Sequence, residues 1–229
     1  MSTETLPPHS PARRHKPRLR GWIHFWSFVA SVASGAILVA LAGSTVSARA
    51  ALATAVYSAT VCGLFGVSAL YHRRSWVNRR AEYWINRVDH SMIFIFIAGS
   101  YTPFATFAMP WPTGAVVLTV VWAGAVAGVA MKLLWPRAPR GVGVPIYVAL
   151  GWVAVFVLPD LLRFGGVAAL VLLIVGGVFY TFGAAVYGLR RPDPWPHTFG
   201  FHEIFHASTV VAALCHYIAV WLTMFATVS

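Results

Sequence analysis

The sequence predicts an all-α fold: a polytopic membrane protein built as a seven-transmembrane helix bundle, with the N-terminus cytoplasmic and the C-terminus outside. Three observations carry this expectation. Of 229 residues, 59% are hydrophobic and only 10% are charged, against roughly 25% charged in an average soluble domain. No soluble fold of this size covers so much apolar surface with so few charges, so lipid is the alternative solvent. The apolar residues fall into seven runs, and a spanning helix takes about 20 mainly apolar residues. The basic residues then alternate between successive loops, as a fixed membrane orientation requires.

Residues 1–20 are rich in Pro, Arg and His and hold no apolar run. They read as a disordered basic cytoplasmic tail, and residues 21–229 as one seven-helix transmembrane domain. The first run, 21–43, is too long for a signal-peptide core of roughly 7–15 residues, although Ser47-Ala48-Arg49-Ala50 offers a cleavage-like alternative. Further runs follow at 50–71, 86–108, 114–135, 143–160, 166–189 and 202–226. Turn chemistry separates them: Met109-Pro110-Trp111-Pro112, Pro136 to Gly143, Asp160 with Gly165-Gly166, and Pro192 to Pro196. The fifth run is the weakest span, being short and holding Pro145. Tyr101-Thr102-Pro103 is expected to kink the third, with the freed backbone groups satisfied locally.

Lys and Arg concentrate in cytoplasmic loops. Fifteen of the seventeen here lie in the tail and in the second, fourth and sixth loops. The exceptions are Arg49 and Arg163. Strict alternation fits an odd number of spans and places the chain in the cell inner (plasma) membrane as a multi-pass protein. The net charge of +11 is therefore a topology signal. Nucleic acid is excluded as a partner, because no soluble basic face exists to carry phosphate contacts; the partner is the lipid bilayer. Cys62 and Cys215 lie inside apolar runs and pack as small hydrophobes rather than as a disulfide framework.

An ionisable residue in or at the edge of a span is costly and marks a functional site by default. His72 ends the second run, Asp89 and His90 begin the third, and His202, Glu203 and His206 begin the seventh. The topology puts all of them at the cytoplasmic side, at one depth of the bilayer. His202 and His206 are four apart and share a helix face. Two such imidazoles can hold one Zn²⁺, and a third ligand with an open position makes a site catalytic; His72 supplies that third ligand. Histidine suits Zn²⁺, and by ligand type also Fe, Ni or Cu. The bland alternative is a pair of structural histidines.

His202-Glu203-Ile204-Phe205-His206 also matches the H-E-x-x-H pattern of zinc proteases, in which the Glu is the general base. Against that, no acid follows Glu203 and no extended H-x-x-G-x-x-H pattern is present. Glu203 reads equally as a helix-start acid at the positive dipole end, rotated about 100° from His202 and able to face the cytosol. His90 lies about 100° round the helix from Asp89, either as a polar neighbour of the site or hydrogen-bonded to another helix. His216 lies about 15 Å deeper than His206, beyond reach of the same metal, and reads as a buried or cavity-lining histidine. Trp22, His24 and Trp26 read as an interfacial belt.

Four blocks resemble a known family: Ser68-Ala69-Leu70-Tyr71-His72, Arg87-Val88-Asp89-His90-Ser91, Gly99-Ser100-Tyr101-Thr102-Pro103-Phe104, and His202-x-x-Phe205-His206 with His216. In order and spacing they are similar to the hemolysin III family, the bacterial branch of the progestin and adipoQ receptor superfamily. The likeness spans residues 20–226, and the 17-residue step from His72 to Asp89 agrees with the adiponectin receptors. The resemblance implies a seven-helix bundle with a cytoplasmic N-terminus, and Zn²⁺ on His72, His202 and His206. It implies that Asp89 holds a metal-bound water and that Ser68 is a polar neighbour of the site. The receptor branch is linked to hydrolysis of lipid amides such as ceramide, and the bacterial branch to haemolysis and membrane-lipid homeostasis. With a short tail and no extra receptor domain, hormone sensing is not expected.

Three functions follow as expectations. The first is zinc-dependent hydrolysis of a membrane-lipid amide or ester, because a metal site among helix ends at the membrane–cytosol boundary favours an amphiphile with its polar linkage at headgroup level. The second is a membrane sensor or homeostasis factor with structural zinc. The third is a pore-forming cytolysin, against which the mostly Ala, Val, Leu and Gly composition of the outer halves of the spans speaks.

Overall fold

The computed structural model describes residues 17–135 and 138–226. Within them, seven α-helices follow one another and no strand occurs: α1 Trp22–Leu41, α2 Ala48–Arg73, α3 Arg79–Phe107, α4 Trp111–Leu134, α5 Arg140–Gly151, α6 Leu158–Leu189 and α7 Phe201–Ala226. A π-helical turn, Ala42–Val46, extends α1, and a 3-10 segment, Trp152–Val157, extends α5. Six of the apolar runs each fall within one helix or its ends, and the fifth is divided among α5, the 3-10 segment and the start of α6. Five segments are long and apolar enough to cross a membrane: Trp22–Val46, Ala48–Arg73, Trp111–Leu134, the joined Arg140–Leu189, and Phe201–Ala226. The chain is a multi-pass membrane protein. Large apolar side chains accordingly point outward, among them Val116, Val126 and Phe156.

Local chemistry sets the ends. The Ser47 hydroxyl accepts from the Ala50 N–H at 3.1 Å and starts α2. The Asn78 side chain accepts from the Arg80 and Ala81 N–H groups, so α3 begins seven residues before its apolar run, with Arg79 paired to Glu82 one turn in. The helix continues through Pro103, and the Thr102 hydroxyl bonds the Ala98 carbonyl one turn back. The weak fifth run is a broken helix. Tyr101 on α3 mends the break: its hydroxyl donates to Gly151 O at 2.6 Å and accepts from Ala154 N–H at 2.8 Å. The break expected at the glycine pair is present: Gly166 takes φ 81, ψ 167 and divides Leu158–Leu189 into two helical stretches. Only glycine adopts that backbone conformation without strain.

α1 to α4 pack as successive neighbours, α6 packs along α7, and α7 returns to touch α1 and α3, closing the bundle. Small residues let the backbones approach, as expected where lipid gives no hydrophobic drive between helices. A Cβ on Gly99 of α3 would lie 2.1 Å from the Thr60 hydroxyl of α2, and one on Gly128 of α4 would lie 2.2 Å from the Phe94 ring of α3. Gly21, at φ 80, does the same for the future site: a Cβ there would strike His72 Cβ at 2.9 Å. Most of the expected tail, residues 1–16, lies outside the described residues. Its last residues pack against the α6–α7 loop, with Arg18 N–H donating to His197 O at 3.0 Å and Leu19 N–H to Thr198 O at 3.3 Å. Among the described residues, Cys62 and Cys215 are free thiols.

Candidate metal centre

The end of α2 and the first turn and a half of α7 bring three imidazoles together. The ligating nitrogens of His72, His202 and His206 all lie within 4.8 Å of one another. His72 Nε2 and His202 Nε2 are 3.2 Å apart although 130 residues separate them. Two nitrogens sharing one tetrahedral Zn²⁺ at about 2.0–2.1 Å are about 3.3 Å apart, so that pair already stands at the separation a shared ion requires. His72 and His206 are buried and His202 is half-buried. The donor set thus fits a borderline-soft cation such as Zn²⁺.

Asp89 on α3 sits beside the cluster, its Oδ2 3.8 Å from His72 Nε2 and its side chain 12% exposed. The Ser68 hydroxyl, one turn before His72 on α2, bonds His24 Nδ1 at 2.9 Å and lines the same cavity as Asp89. His90 turns away to a neighbouring helix: Nδ1 donates to Asn86 O at 2.7 Å, and Nε2 lies 3.3 Å from the Tyr187 hydroxyl of α6.

Two expectations need correction. His24 does not belong to an interfacial belt. It is 3% exposed, and its ring stacks on His206 at 3.8 Å with an interplanar angle of 9°. Trp22 and Trp26 lie on the outer face, 40% and 61% exposed. At about 100° per residue, position 24 is opposite both, so helical periodicity carried the signal that the aromatic cluster concealed. Glu203 does not face solvent either. It is 1% exposed, accepts from Gly200 N–H at 2.9 Å and is paired to Arg20. The helix-start acid is present as expected, but the end of the N-terminal segment closes over it.

Two cavities meet at the cluster. One runs into the bundle from His24, Ser68, Asp89, His202 and His206 to His216; it encloses about 160 Å³ and is lined mainly by apolar and aromatic side chains of α3, α5, α6 and α7. His216 lies deep in it, packed edge-on against Tyr180 with ring centroids 5.3 Å apart and with Nε2 3.4 Å from Leu173 O. The other cavity, of about 610 Å³, opens on the side of the basic loops and is lined by His72, His202 and polar residues.

Fold and site together define a helical, multi-pass membrane protein with a buried three-histidine cluster at one end of its bundle. Residues 12–217 match the family described as Haemolysin-III related, and the chain belongs to that family. It is 28% identical to Hemolysin-3 of Bacillus cereus over 74% of this chain and 76% of that protein. It is 26% identical to the human Monocyte to macrophage differentiation factor, over 72% of this chain and 68% of that one. A shorter stretch, 19% of this chain and 15% of the relative, is 43% identical to the ADIPOR-like receptor IZH2 of Saccharomyces cerevisiae.

Proposed function

We propose that this protein is a zinc-dependent hydrolase of a membrane-lipid amide or ester, acting in membrane-lipid homeostasis from the cell inner membrane. The observation that carries the reading is the convergence of His72, His202 and His206 beside Asp89, at the mouth of an apolar cavity. The three histidines hold the ion. When bound, Zn²⁺ supplies electrophilic polarisation of a carbonyl and acidifies water. Asp89 takes the proton of the attacking water and returns it to the leaving amine or alcohol, the usual work of a general base that then acts as acid. Ser68 is the polar neighbour of the carboxylate in the cavity wall, and His24 holds Ser68. The apolar cavity holds the acyl chain and excludes water. Asp89 is favoured over Glu203 as the base because both Glu203 oxygens are engaged, by Arg20 and by Gly200 N–H.

The same proposal includes seven spans with the N-terminus inside and the C-terminus outside. The joined segment Arg140–Leu189 has 50 residues, about 75 Å of helix against a hydrocarbon core of about 30 Å. It therefore supplies two crossings, divided near the 3-10 segment. α3 supplies the remaining crossing with 29 residues, its charged start lying outside the apolar layer.

The test is Asp89→Asn in purified protein, with release of fatty acid measured from a panel of lipid amides and esters in bilayers and zinc measured on the same samples. The variant keeps most of its zinc and loses about 10²–10⁴-fold in rate. Undiminished turnover in Asp89→Asn overturns the assignment of the base. A parent protein without turnover on any substrate favours structural zinc.

A further inference from the structure

The polar cavity beside the histidine cluster holds three cationic side chains that the proposed chemistry leaves unused. Arg87 comes from α3, Lys132 from the end of α4 and Arg140 from the start of α5. Arg87 is only 6% exposed. Its guanidinium lies 3.5 Å over the Tyr83 ring and makes one long bond, 3.4 Å, to Tyr83 O, while its Nε has no hydrogen-bond partner among the described residues. Arg140 lies over the Tyr187 ring at 4.6 Å, and its buried Nη1 is likewise without a partner among the described residues. The Lys132 ammonium points at Gly143, whose added Cβ would come within 2.7 Å of Nζ. His90 lines both this cavity and the apolar one.

The acids lining this cavity do not neutralise them. Glu82 is paired to Arg79, Asp193 accepts from Phe201 N–H at 2.9 Å, and Glu203 is held by Arg20 and Gly200 N–H. Arg20, the fourth cation of the wall, is thereby used. Basic residues that serve orientation alone extend their heads into water or lipid headgroups. A buried guanidinium such as that of Arg87 is costly without a counter-charge, and its convergence with the half-exposed Lys132 and Arg140 from two further helices marks a site for an anion.

We propose that this cavity binds a phosphate group, and that the phosphate is the headgroup of an anionic amphiphile whose acyl chain enters the apolar cavity past the histidine cluster. This rests on the hydrolase reading only in placing the scissile linkage between the two cavities; phosphate binding needs neither metal nor turnover. Arginine forks and an ammonium are the donor set that phosphate oxygens accept from most strongly. The cavity volume of about 610 Å³ accommodates a headgroup, while the neighbouring cavity is apolar and suits a chain.

The test uses the full chain in nanodiscs of neutral lipid, titrated calorimetrically with dihexanoyl phosphatidic acid, with dihexanoylglycerol and with inorganic phosphate. Phosphatidic acid binds more tightly than the neutral glyceride, more weakly at higher salt, and equally after zinc is stripped with a chelator. Arg140→Gln and Lys132→Gln, both at half-exposed positions, each weaken it about 10–100-fold, whereas Arg140→Lys, which keeps the charge but loses the planar fork, recovers part of the loss; thermal melting of each variant verifies the fold. Inorganic phosphate binding as tightly as phosphatidic acid, with the same losses in the variants, supports the anion site and assigns its source to the free ion. Equal affinity for the glyceride and the phosphatidic acid, or Gln variants that bind as the parent does, overturns the site. Phosphatidic acid binding that survives in a protein without hydrolase activity separates the failure of the catalytic reading from the failure of this one.

Discussion

Removing a single oxygen, in Tyr101→Phe, is expected to destabilise the whole bundle. The Tyr101 hydroxyl is bonded to Gly151 O at 2.6 Å and to Ala154 N–H at 2.8 Å, with a longer contact to Leu150 O at 3.3 Å. These groups lie where α5 gives way to the 3-10 segment, whose i→i+3 hydrogen bonds have poorer geometry than those of an α-helix, so the Tyr101 hydroxyl reinforces them. They are not deeply packed, but the solvent outside is hydrocarbon, and no water replaces the lost partner. An unsatisfied group costs about 1–3 kcal/mol. Hydrogen bonds within membrane bundles are measured nearer about 0.6 kcal/mol, because the unfolded chain also finds partners in the membrane. Two hydrogen bonds lost at a helix break place the loss at about 1–2 kcal/mol, or about 2–8 °C in melting temperature for a chain of this length. Tyr147→Phe is the control. The Tyr147 hydroxyl is buried without a hydrogen-bond partner among the described residues, so deleting it is neutral or stabilising. The assay is thermal unfolding of the parent and both variants in one detergent. Tyr101→Phe melting within about 1 °C of the parent, or the two variants falling equally, would refute the claim that Tyr101 holds the break together.

The remaining predictions concern the site and the topology. His202→Ala and His206→Ala each lose most of about one Zn²⁺ per chain, because two histidines are too few for a closed site; unchanged metal content in both overturns the ligand set. Glu203→Gln keeps its zinc and most of its hydrolysis but loses about 2 kcal/mol of stability, since it weakens a charge-assisted bond to Arg20 and the cap at Gly200; a large loss of turnover at full zinc instead restores the protease-like assignment of Glu203. Reporter fusions place the two termini on opposite sides of the membrane, and the same side for both excludes seven spans.

The fold was legible because lipid imposes one rule on every span: each apolar run must satisfy its own backbone, so each is a helix. Runs misplace helix ends wherever the chain leaves the apolar layer while remaining helical, which is why α3 starts at Arg79 rather than near residue 86. The glycine pair was a sounder guide: it signals a break, and Gly166 leaves the helical conformation there. The three histidines were legible by depth, as polar residues at the same end of distant runs. His24 shares that depth but was hidden between two tryptophans, although a helical projection separates it from both. The burial of Glu203 depends on Arg20, a residue read only as a topology charge, and no pattern in the sequence links them. The three convergent cations were equally invisible, because loop charges that orient a protein and those that line a cavity look alike until the helices are assembled.

The histidine cluster joins the first part of the chain to the last. His72 ends the second helix, His202 and His206 open the seventh, and the segment Arg18–Arg20 is fastened to the loop and helix start that carry those two histidines. A chain emerging from the ribosome inserts its helices in sequence, so α1 and α2 wait with an incomplete donor set through the insertion of four more. Two of the three ligands arrive only with the final segment. A product truncated anywhere before Phe201 therefore carries one histidine of the three and gives Glu203's partner, Arg20, nothing to close on. Any metal ion held by all three histidines would thus report completed synthesis, because the donor set is whole only once the last helix has docked.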